Sequence, residues 1–265
     1  MLKADRFARI LDHVARAGSA DVHQLADLLG VSGATVRRDL QALDEQGLLR
    51  RTHGGAVTGS VNLELPLRHR AGRQQDEKRR IAEAAAELIP TGAVVGLAGG
   101  STVSALARVL AERCGGGDGS GDGSREGQLT VVTNAVNIAA DLIVRPEIRL
   151  VVIGGQARSA SYELVGPAAD QHLARYRLDF AFIGVDGLSA TAGCTTHDEM
   201  EAHTDRAFLR VASRAVVLAD ASKLGQATFA SICPLDEIDT LVTDTDPAEP
   251  ERSALAAAGV RVILG

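Results

Sequence analysis

The chain has 265 residues, 45% hydrophobic and 23% charged, an ordinary globular composition with room for one large domain or two smaller ones. Aromatic residues make up 3% and Trp is absent, so Ala, Val, Leu and Ile must fill the core. The net charge of −6 does not point to nucleic acid, yet it hides an asymmetry: through Thr58 there are 8 Lys+Arg against 7 Asp+Glu, and beyond it 20 against 27. A near-neutral segment still binds phosphates when its basic side chains share one face. Cys114, Cys194 and Cys233 are far apart in sequence, an odd set without CxxC or His/Cys spacing, which argues against a disulfide framework or a metal site. The sequence shows neither a signal-peptide core nor an apolar run of membrane-spanning length. The expectation is a cytoplasmic protein without membrane contact, metal or cofactor.

In chain order, Phe7, Ile10, Leu11 and Val14 recur at helical spacing up to Gly18. Asp21 can cap a second helix, with Gln24 at the reciprocal capping-box position. Leu25, Leu28 and Leu29 form the expected stripe of that helix, and Gly30 ends it. Ser32 caps a third helix that buries Val36, Leu40 and Leu43 and stops at Gly47. Leu48 to Val57 resembles a small hairpin with Gly54-Gly55 at its turn or exit. A linker with Pro66 runs from Gly59 to Gln75, followed by a helix from Asp76 to Leu88. Strands are then expected at Val94–Leu97, Leu129–Thr133, Leu150–Ile153, Phe180–Ile183, Ala215–Ala219, Thr240–Thr243 and Val260–Leu264. Helices are expected to begin near Thr102, Ala135, Glu199 and Pro250. Short, continuously apolar strands alternating with helices imply an α/β domain with a largely parallel sheet covered on both faces. Residues Gly115 to Gly127, GGGDGSGDGSREG, read as a surface loop.

Two short helices, a tight turn and a third helix suit a helix-turn-helix whose third helix enters the major groove. The buried stripe leaves Thr35, Arg37, Arg38 and Gln41 facing outward. Arg can bridge two guanine acceptors or hold phosphate, and Thr and Gln can touch base edges. The helix N-terminus at Ser32 can donate to a phosphate, and Arg50, Arg51 and His53 make the hairpin a basic wing. A plain reading is that these arginines only solvate a surface, paired with Asp39 and Asp44. That reading leaves unexplained why both the helix and the hairpin are basic.

The string Val31-Ser32, Thr35-Val36-Arg37-Arg38-Asp39-Leu40, Leu43, Gly47-Leu48-Leu49-Arg50-Arg51 and His53-Gly54-Gly55-Ala56 resembles the DeoR family of bacterial regulators. The resemblance implies a winged helix-turn-helix over 1–58, a linker over 59–75 and an α/β sensor over 76–265. It also implies a repressor, a double-stranded operator and a sugar-phosphate effector. A homo-oligomer is expected because operator affinity normally comes from paired half-sites.

Beyond the first strand, Ala98-Gly99-Gly100-Ser101-Thr102 opens a helix. Glycines let N–H groups approach an anion, hydroxyls add donors, and the helix N-terminus favours negative charge. The spacing is not that of a Walker loop. Other strand ends carry Thr133-Asn134, Gly154-Gly155, Asp186-Gly187, Thr195-Thr196 and Lys223, and these also match the DeoR sensor in order, as do Glu77-Lys78 and Thr243-Asp244. That sensor resembles ribose-5-phosphate isomerase and glucosamine-6-phosphate deaminase in its Rossmann-like fold. The resemblance implies Gly100, Ser101 and Thr102 around phosphate, with Asp186 and Lys223 at the sugar hydroxyls or carbonyl end. Ala98 departs from the aspartate of many members, which puts the usual sugar preference in question.

Plainer roles stand beside these. Asn134 can cap the helix starting at Ala135, Asp186 can stabilise its turn, Lys223 can be a solvated lysine, and Thr195 and Thr196 can end a strand. His197, with Asp198 and Glu199, reads as a solvated turn rather than a metal site. An isomerase or deaminase with a DNA-binding appendage competes with the regulator, but such chemistry needs a base and usually several carboxylates. Asp186 is followed by Gly187 and Leu188 rather than by a second acid. Glu199 and Glu201 remain possible contributors. A ligand-free architectural protein would not require the ordered loop motifs.

Overall fold

The structure is a computed structural model describing residues 3–45, 48–57, 66–70, 74–115 and 128–265. The chain divides into two compact units, Met1–Arg73 and Gln74–Gly265. The expected helix stop at Gly47, most of the linker and all but the first residue of the Gly115–Gly127 loop lie outside the described residues.

The first unit contains α1 (Lys3–Ala17), β1 (Ser19–Asp21), α2 (Val22–Leu29), α3 (Gly33–Glu45), β2 (Arg50–Arg51), β3 (Gly55–Val57) and a short α4 (Leu67–Arg70). Phe7, Ile10, Leu11 and Val14 of α1 pack with Leu25 and Leu29 of α2 and with Val36, Leu40 and Leu43 of α3. Leu28 is not part of this core and is 40% exposed. Val22 takes the expected place, because it and Leu29 flank Leu25 on one side of the helix while Leu28 lies about 100° of arc from Leu29. Asp21 caps α2 in a reciprocal box with Gln24, and Gly30 closes the helix in the left-handed region at φ 63. The small sheet has the order β1-β3-β2, with antiparallel pairing throughout. Gly55 permits it: a Cβ there would stand 2.0 Å from the Ala20 carbonyl oxygen.

Asp39 corrects the plain reading of the charges. It is buried and binds Arg6 of α1 through two contacts, Nε to Oδ2 at 2.7 Å and Nη2 to Oδ1 at 3.1 Å. This forked pair fastens α3 to α1 and holds the Arg6 guanidinium above its ordinary pKa through the hydrogen bond to Asp39. Asp44 accepts the backbone N–H of Arg51 at 3.1 Å.

The second unit begins with α5 (Gln75–Ala86), β4 (Val94–Leu97), α6 (Ser101–Gly115), β5 (Leu129–Thr133), α7 (Val136–Leu142) and β6 (Ile148–Val152). A hairpin of β7 (Gln156–Arg158) and β8 (Glu163–Val165) follows, then α8 (Pro167–Leu173) and β9 (Phe180–Gly184). Next come β10 (Gly187–Ser189), β11 (Gly193–Thr196), α9 (Glu199–Val211), β12 (Ala215–Leu218) and a 3-10 turn, Ala221–Lys223. The unit ends with β13 (Ala230–Cys233), a second 3-10 turn at Leu235–Glu237, β14 (Thr240–Thr243), α10 (Glu251–Ala257) and β15 (Arg261–Leu264).

Seven strands form one parallel sheet in the order β15-β14-β12-β9-β4-β5-β6. Alternation along the central strands feeds two cores. Val95, Leu97, Phe182 and Val216 pack under α5, α6 and α7, whereas Ala98, Ala181, Ile183 and Val217 pack under α8 and α9. The strand order reverses between β4 and β9, the switch point at which open α/β sheets take ligands. The third strand runs from Ile148 rather than from the expected Leu150, and Ile153 lies just past its end with its N–H on Thr133. The hairpin and the small antiparallel sheet β10-β11-β13 were not expected. Cys194 and Cys233 are direct partners in that sheet, and both are free and buried. A hydrogen bond to Cys233, aided by burial, pushes the Cys194 thiol well above its usual range.

Candidate functional site

On the first unit, Ser32 accepts the Thr35 N–H at 3.2 Å, and the two hydroxyls are 2.9 Å apart, the expected cap. Arg37, Arg38 and Gln41 are exposed on α3, and Arg50, Arg51 and His53 on the hairpin. The core stripe on the opposite side of α3 dictates this face. Gln41 donates to Glu45 at 3.1 Å.

On the second unit, the expected residues gather at the C-terminal edge of the sheet. Gly100 adopts φ 108, a conformation open to glycine, and its carbonyl receives the N–H of Ser104 at 2.9 Å and its hydroxyl at 2.8 Å. The chain thus turns directly into α6, with Ser101 half-buried and Thr102 buried at the helix start. Gly184, at the end of β9, approaches Gly100 across the switch point; its Cα is 3.9 Å from where a Gly100 Cβ would stand. Gly99 leaves room for the carboxyl of Glu163, which occupies the space a Cβ would fill, 2.1 Å from its Cδ.

Asn134 does not cap α7, whose cap position is Ala135 without a side-chain bond. Its amide nitrogen instead binds Glu163 Oε2 at 3.1 Å and the Leu164 carbonyl at 3.2 Å. Thr133 is fully buried and acts as a strut, donating to the Leu97 carbonyl at 2.6 Å and accepting the Ala135 N–H at 3.0 Å.

Asp186 and Lys223 meet at 3.3 Å, which removes the solvated-lysine reading. The Thr196 hydroxyl lies 3.1 Å from Asp186 and 3.4 Å from Glu201, and donates to one at a time. Glu201 is ion-paired with Arg158 at 2.6 Å, and Arg158 also reaches Asp198 at 3.1 Å. Asp198 caps α9, so the expected solvated turn at 197–199 is tied into this network. Asp205 is buried beside these groups; burial first, then Glu163, Glu201 and Asp186, pushes its carboxyl well above the ordinary range. Glu163, Arg158 and Asp205 were missed in the sequence. The hairpin carrying Glu163 and Arg158 has three-residue strands, too short for a periodic signal.

Other expected residues have structural duties. Thr195 donates to the Gly187 carbonyl at 3.2 Å and accepts the Thr228 N–H at 3.0 Å. A Cβ on Gly187 would stand 2.6 Å from the Gln226 carbonyl oxygen. Gly155 lets the chain pass β8, where a Cβ would lie 2.8 Å from the Val165 oxygen, and Gly154 faces open space. Among the described residues no His/Cys/Asp/Glu group is arranged to hold a metal, and no helix is long and apolar enough to cross a membrane.

The DeoR-like helix-turn-helix domain matches residues 6–60, and the DeoR C-terminal sensor domain matches 73–245. The chain is 34% identical over 267 residues to the HTH-type transcriptional regulator GlpR of Haloferax volcanii, covering 100% of this chain and 99% of that protein. It is 30% identical over 247 residues to the glycerol-3-phosphate regulon repressor of Escherichia coli K12, covering 93% of each. Among solved structures, ribose 5-phosphate isomerase A of Methanocaldococcus jannaschii aligns with 57% of this chain and 54% of its own, at TM-score 0.41 and 24% identity. With both segments matched and a relative aligned along its whole length, the chain belongs to the DeoR family of transcription regulators.

Proposed function

We propose that this chain represses carbohydrate genes by gripping a double-stranded operator, and that a phosphorylated sugar bound at 98–102 changes that grip. The observation carrying the reading is the glycine loop that turns from β4 into the fifteen-residue α6 at the switch point of the sheet, in a chain that also holds a helix-turn-helix. Gly100, Ser101 and Thr102 would receive the phosphate on N–H groups, hydroxyls and the helix N-terminus. Lys223 and Asp186 would meet the sugar. On DNA, Arg37 and Arg38 would read bases or hold phosphate, with Thr35 and Gln41 beside them, Ser32 at the helix start, and Arg50, Arg51 and His53 on the wing. Gln41 must leave Glu45 to touch a base.

The working division is a DNA-binding domain over 1–58, a linker over 59–75 and a sensor over 76–265. Assembly is at least dimeric, since one small winged helix covers little DNA. Binding without turnover fits the pairing of Asp186 with Lys223 and of Glu201 with Arg158, which engages carboxylates that a proton abstraction would need free.

The test is operator titration with and without sugar phosphates, using duplexes selected from a random pool, with light scattering on the same samples. A ligand that saturates the protein but leaves operator affinity unchanged overturns the sensing role, because a ligand shifts an equilibrium only by its preference between states. A monomer both free and on DNA overturns the assembly.

A further inference from the structure

We infer that Gln74 is the hinge through which the proposed effector site acts on DNA binding, held in a strained conformation by Asp220 and released when the ligand draws Lys223 away from Asp186. The inference rests on the effector reading given above and assigns the route of its regulation.

Gln74 is the first residue of the second unit and stands immediately before α5. Its backbone lies in the left-handed region at φ 50 and ψ 47. That region is costly for a residue with a Cβ and persists only where surrounding contacts impose it. A residue entering a helix ordinarily takes extended backbone and caps the helix with its side chain. Gln74 does neither, for it makes no side-chain bond to α5. Its amide instead turns to Asp220, where the nitrogen meets both carboxylate oxygens, at 3.2 and 3.3 Å.

Asp220 is 1% exposed, so its carboxylate must be covered by donors. Besides Gln74 it receives the N–H and the hydroxyl of Ser222. It also opens the 3-10 turn Ala221–Lys223, which the Lys223 N–H closes on the Asp220 carbonyl at 2.9 Å. One short turn thus carries both ends of the route: the Asp220 carboxylate on the hinge, and the Lys223 ammonium 3.3 Å from Asp186. The turn is also held on its flanks. Ala221 donates its N–H to Asp244 Oδ1 at 2.7 Å, and Gly225 donates to the Leu188 carbonyl at 2.8 Å. A pull on Lys223 therefore displaces the turn as a piece instead of being absorbed inside it.

Lys223 is the end that a ligand can reach, with 26% of its side chain exposed against 6% for Asp186. An anionic ligand competes with Asp186 for the ammonium. Moving Lys223 shifts Asp220 away from Gln74, and the left-handed backbone then loses the contacts that impose it. The ordinary extended conformation differs by about 120° or more in φ, so relaxation of this one residue redirects the chain where it enters α5. A local element with two discrete states is what coupling between separate sites requires.

The test uses the full chain, the selected operator duplex and three probes: sn-glycerol 3-phosphate, fructose 1-phosphate and glucose 6-phosphate. In the wild type, saturation with the tightest-binding probe should change operator affinity by about 5- to 150-fold, the usual size of coupling between two sites. Gln74 is exposed, so its variants should fold. Gln74→Ala should reduce the response to less than about threefold, with probe-free operator affinity already near that of the saturated wild type. Calorimetry without DNA should find the probe bound to Gln74→Ala at least as tightly as to wild type, because binding no longer has to break the Asp220 contact. Gln74→Glu sets a second carboxylate against Asp220 and should uncouple in the same way. Adding Asp220→Asn to it exchanges donor and acceptor, which should restore part of the response. A wild-type response in both single variants overturns the hinge and leaves the sensing role standing. Weaker probe binding by Gln74→Ala overturns it too, since a residue that only supported the site would behave so. A double variant as unresponsive as Gln74→Glu removes Asp220 as the partner and the route with it. If none of the probes binds the wild type, or binding leaves its operator affinity unchanged, the effector reading itself fails and the inference falls with it.

Discussion

The two faces proposed for recognition are built on opposite plans. The α3 face is exposed. Arg37, Arg38, Arg50, Arg51 and His53 all reach water, and every member comes from 22 consecutive residues, Ser32 to His53. The edge proposed for the effector is buried and cross-braced. Thr133, Asn134, Glu163, Asp186, Thr196 and Glu201 are all buried, and their partners lie up to 43 residues away in sequence, as for Arg158 and Glu201. A surface that meets a polyanion gains from side chains free to follow the groove and from long-range charge. A pocket that must tell one small polar ligand from another gains from acceptors held in place before the ligand arrives, because an unmatched buried group is costly.

Substitutions can break this contrast, starting where the effect should be largest. Arg37→Ala and Arg38→Ala should each weaken operator binding by about 10- to 100-fold, from about 1–3 kcal/mol per bidentate base contact, or flatten the salt dependence by about one where the contact is to phosphate. The fold should be untouched, as both side chains are exposed. A melting curve beside each titration checks this, and unchanged affinity and salt dependence in both variants would remove α3 from the interface. Arg6→Ala is the counterpart: it strips the partner from buried Asp39, so it should lower the melting temperature of the N-terminal unit more than either α3 arginine change.

Two glycines sharpen the same contrast. A Cβ at Gly55 would meet backbone, the Ala20 oxygen at 2.0 Å, whereas one at Gly99 would meet the movable end of Glu163. Gly55→Ala should therefore cost stability, about 1–3 kcal/mol as for other forced overpacking, read by denaturant melts. Gly99→Ala should spend its effect on effector affinity, leaving ligand-free operator binding near wild type. If Gly99→Ala instead unfolds the sensor while Gly55→Ala is silent, the assignment of which glycine guards backbone and which guards the pocket is reversed.

The smallest expected effect is a pH dependence. The native Asp205 carboxyl titrates above its unfolded value, so the native state keeps a proton that the unfolded chain releases. Stability is therefore fully present below the ordinary aspartate range and declines as pH rises from there through the raised native value. Asp205→Asn should behave like wild type in acid and gain on it as pH rises, by about 1–3 kcal/mol, the range for a buried polar group left uncompensated. Thermal melts from pH 4 to pH 8, on the order of the span over which a raised carboxyl titrates, decide it. A constant difference across that span would mean that Asp205 ionises no differently in the folded chain.

Local order was legible in advance wherever a signal repeats or a cap is chemically obligatory. The α1 stripe, the Asp21–Gln24 box, the Ser32 cap and the central strands are of this kind, because helix and strand periods and unpaired N–H groups act within a few residues. Leu28 shows the limit: its type fits the stripe, but only the direction of the neighbouring helices determines which side of α2 is buried. Asp39 shows it again, since its partner was sought among adjacent arginines and proved to be Arg6, 33 residues earlier.

The sequence by itself determined the two-part plan, the outward face of α3 and the glycine turn into α6, all consequences of short-range sterics, periodicity and backbone hydrogen bonding. Only the tertiary structure decided that Glu163 lies against Gly99, that Asp186 pairs with Lys223 and Glu201 with Arg158, and that Thr133 and Thr195 are struts. Those outcomes depend on which strand ends the parallel order brings side by side, and on burial that forces each polar group to find a partner across that edge. No window of neighbouring residues contains either.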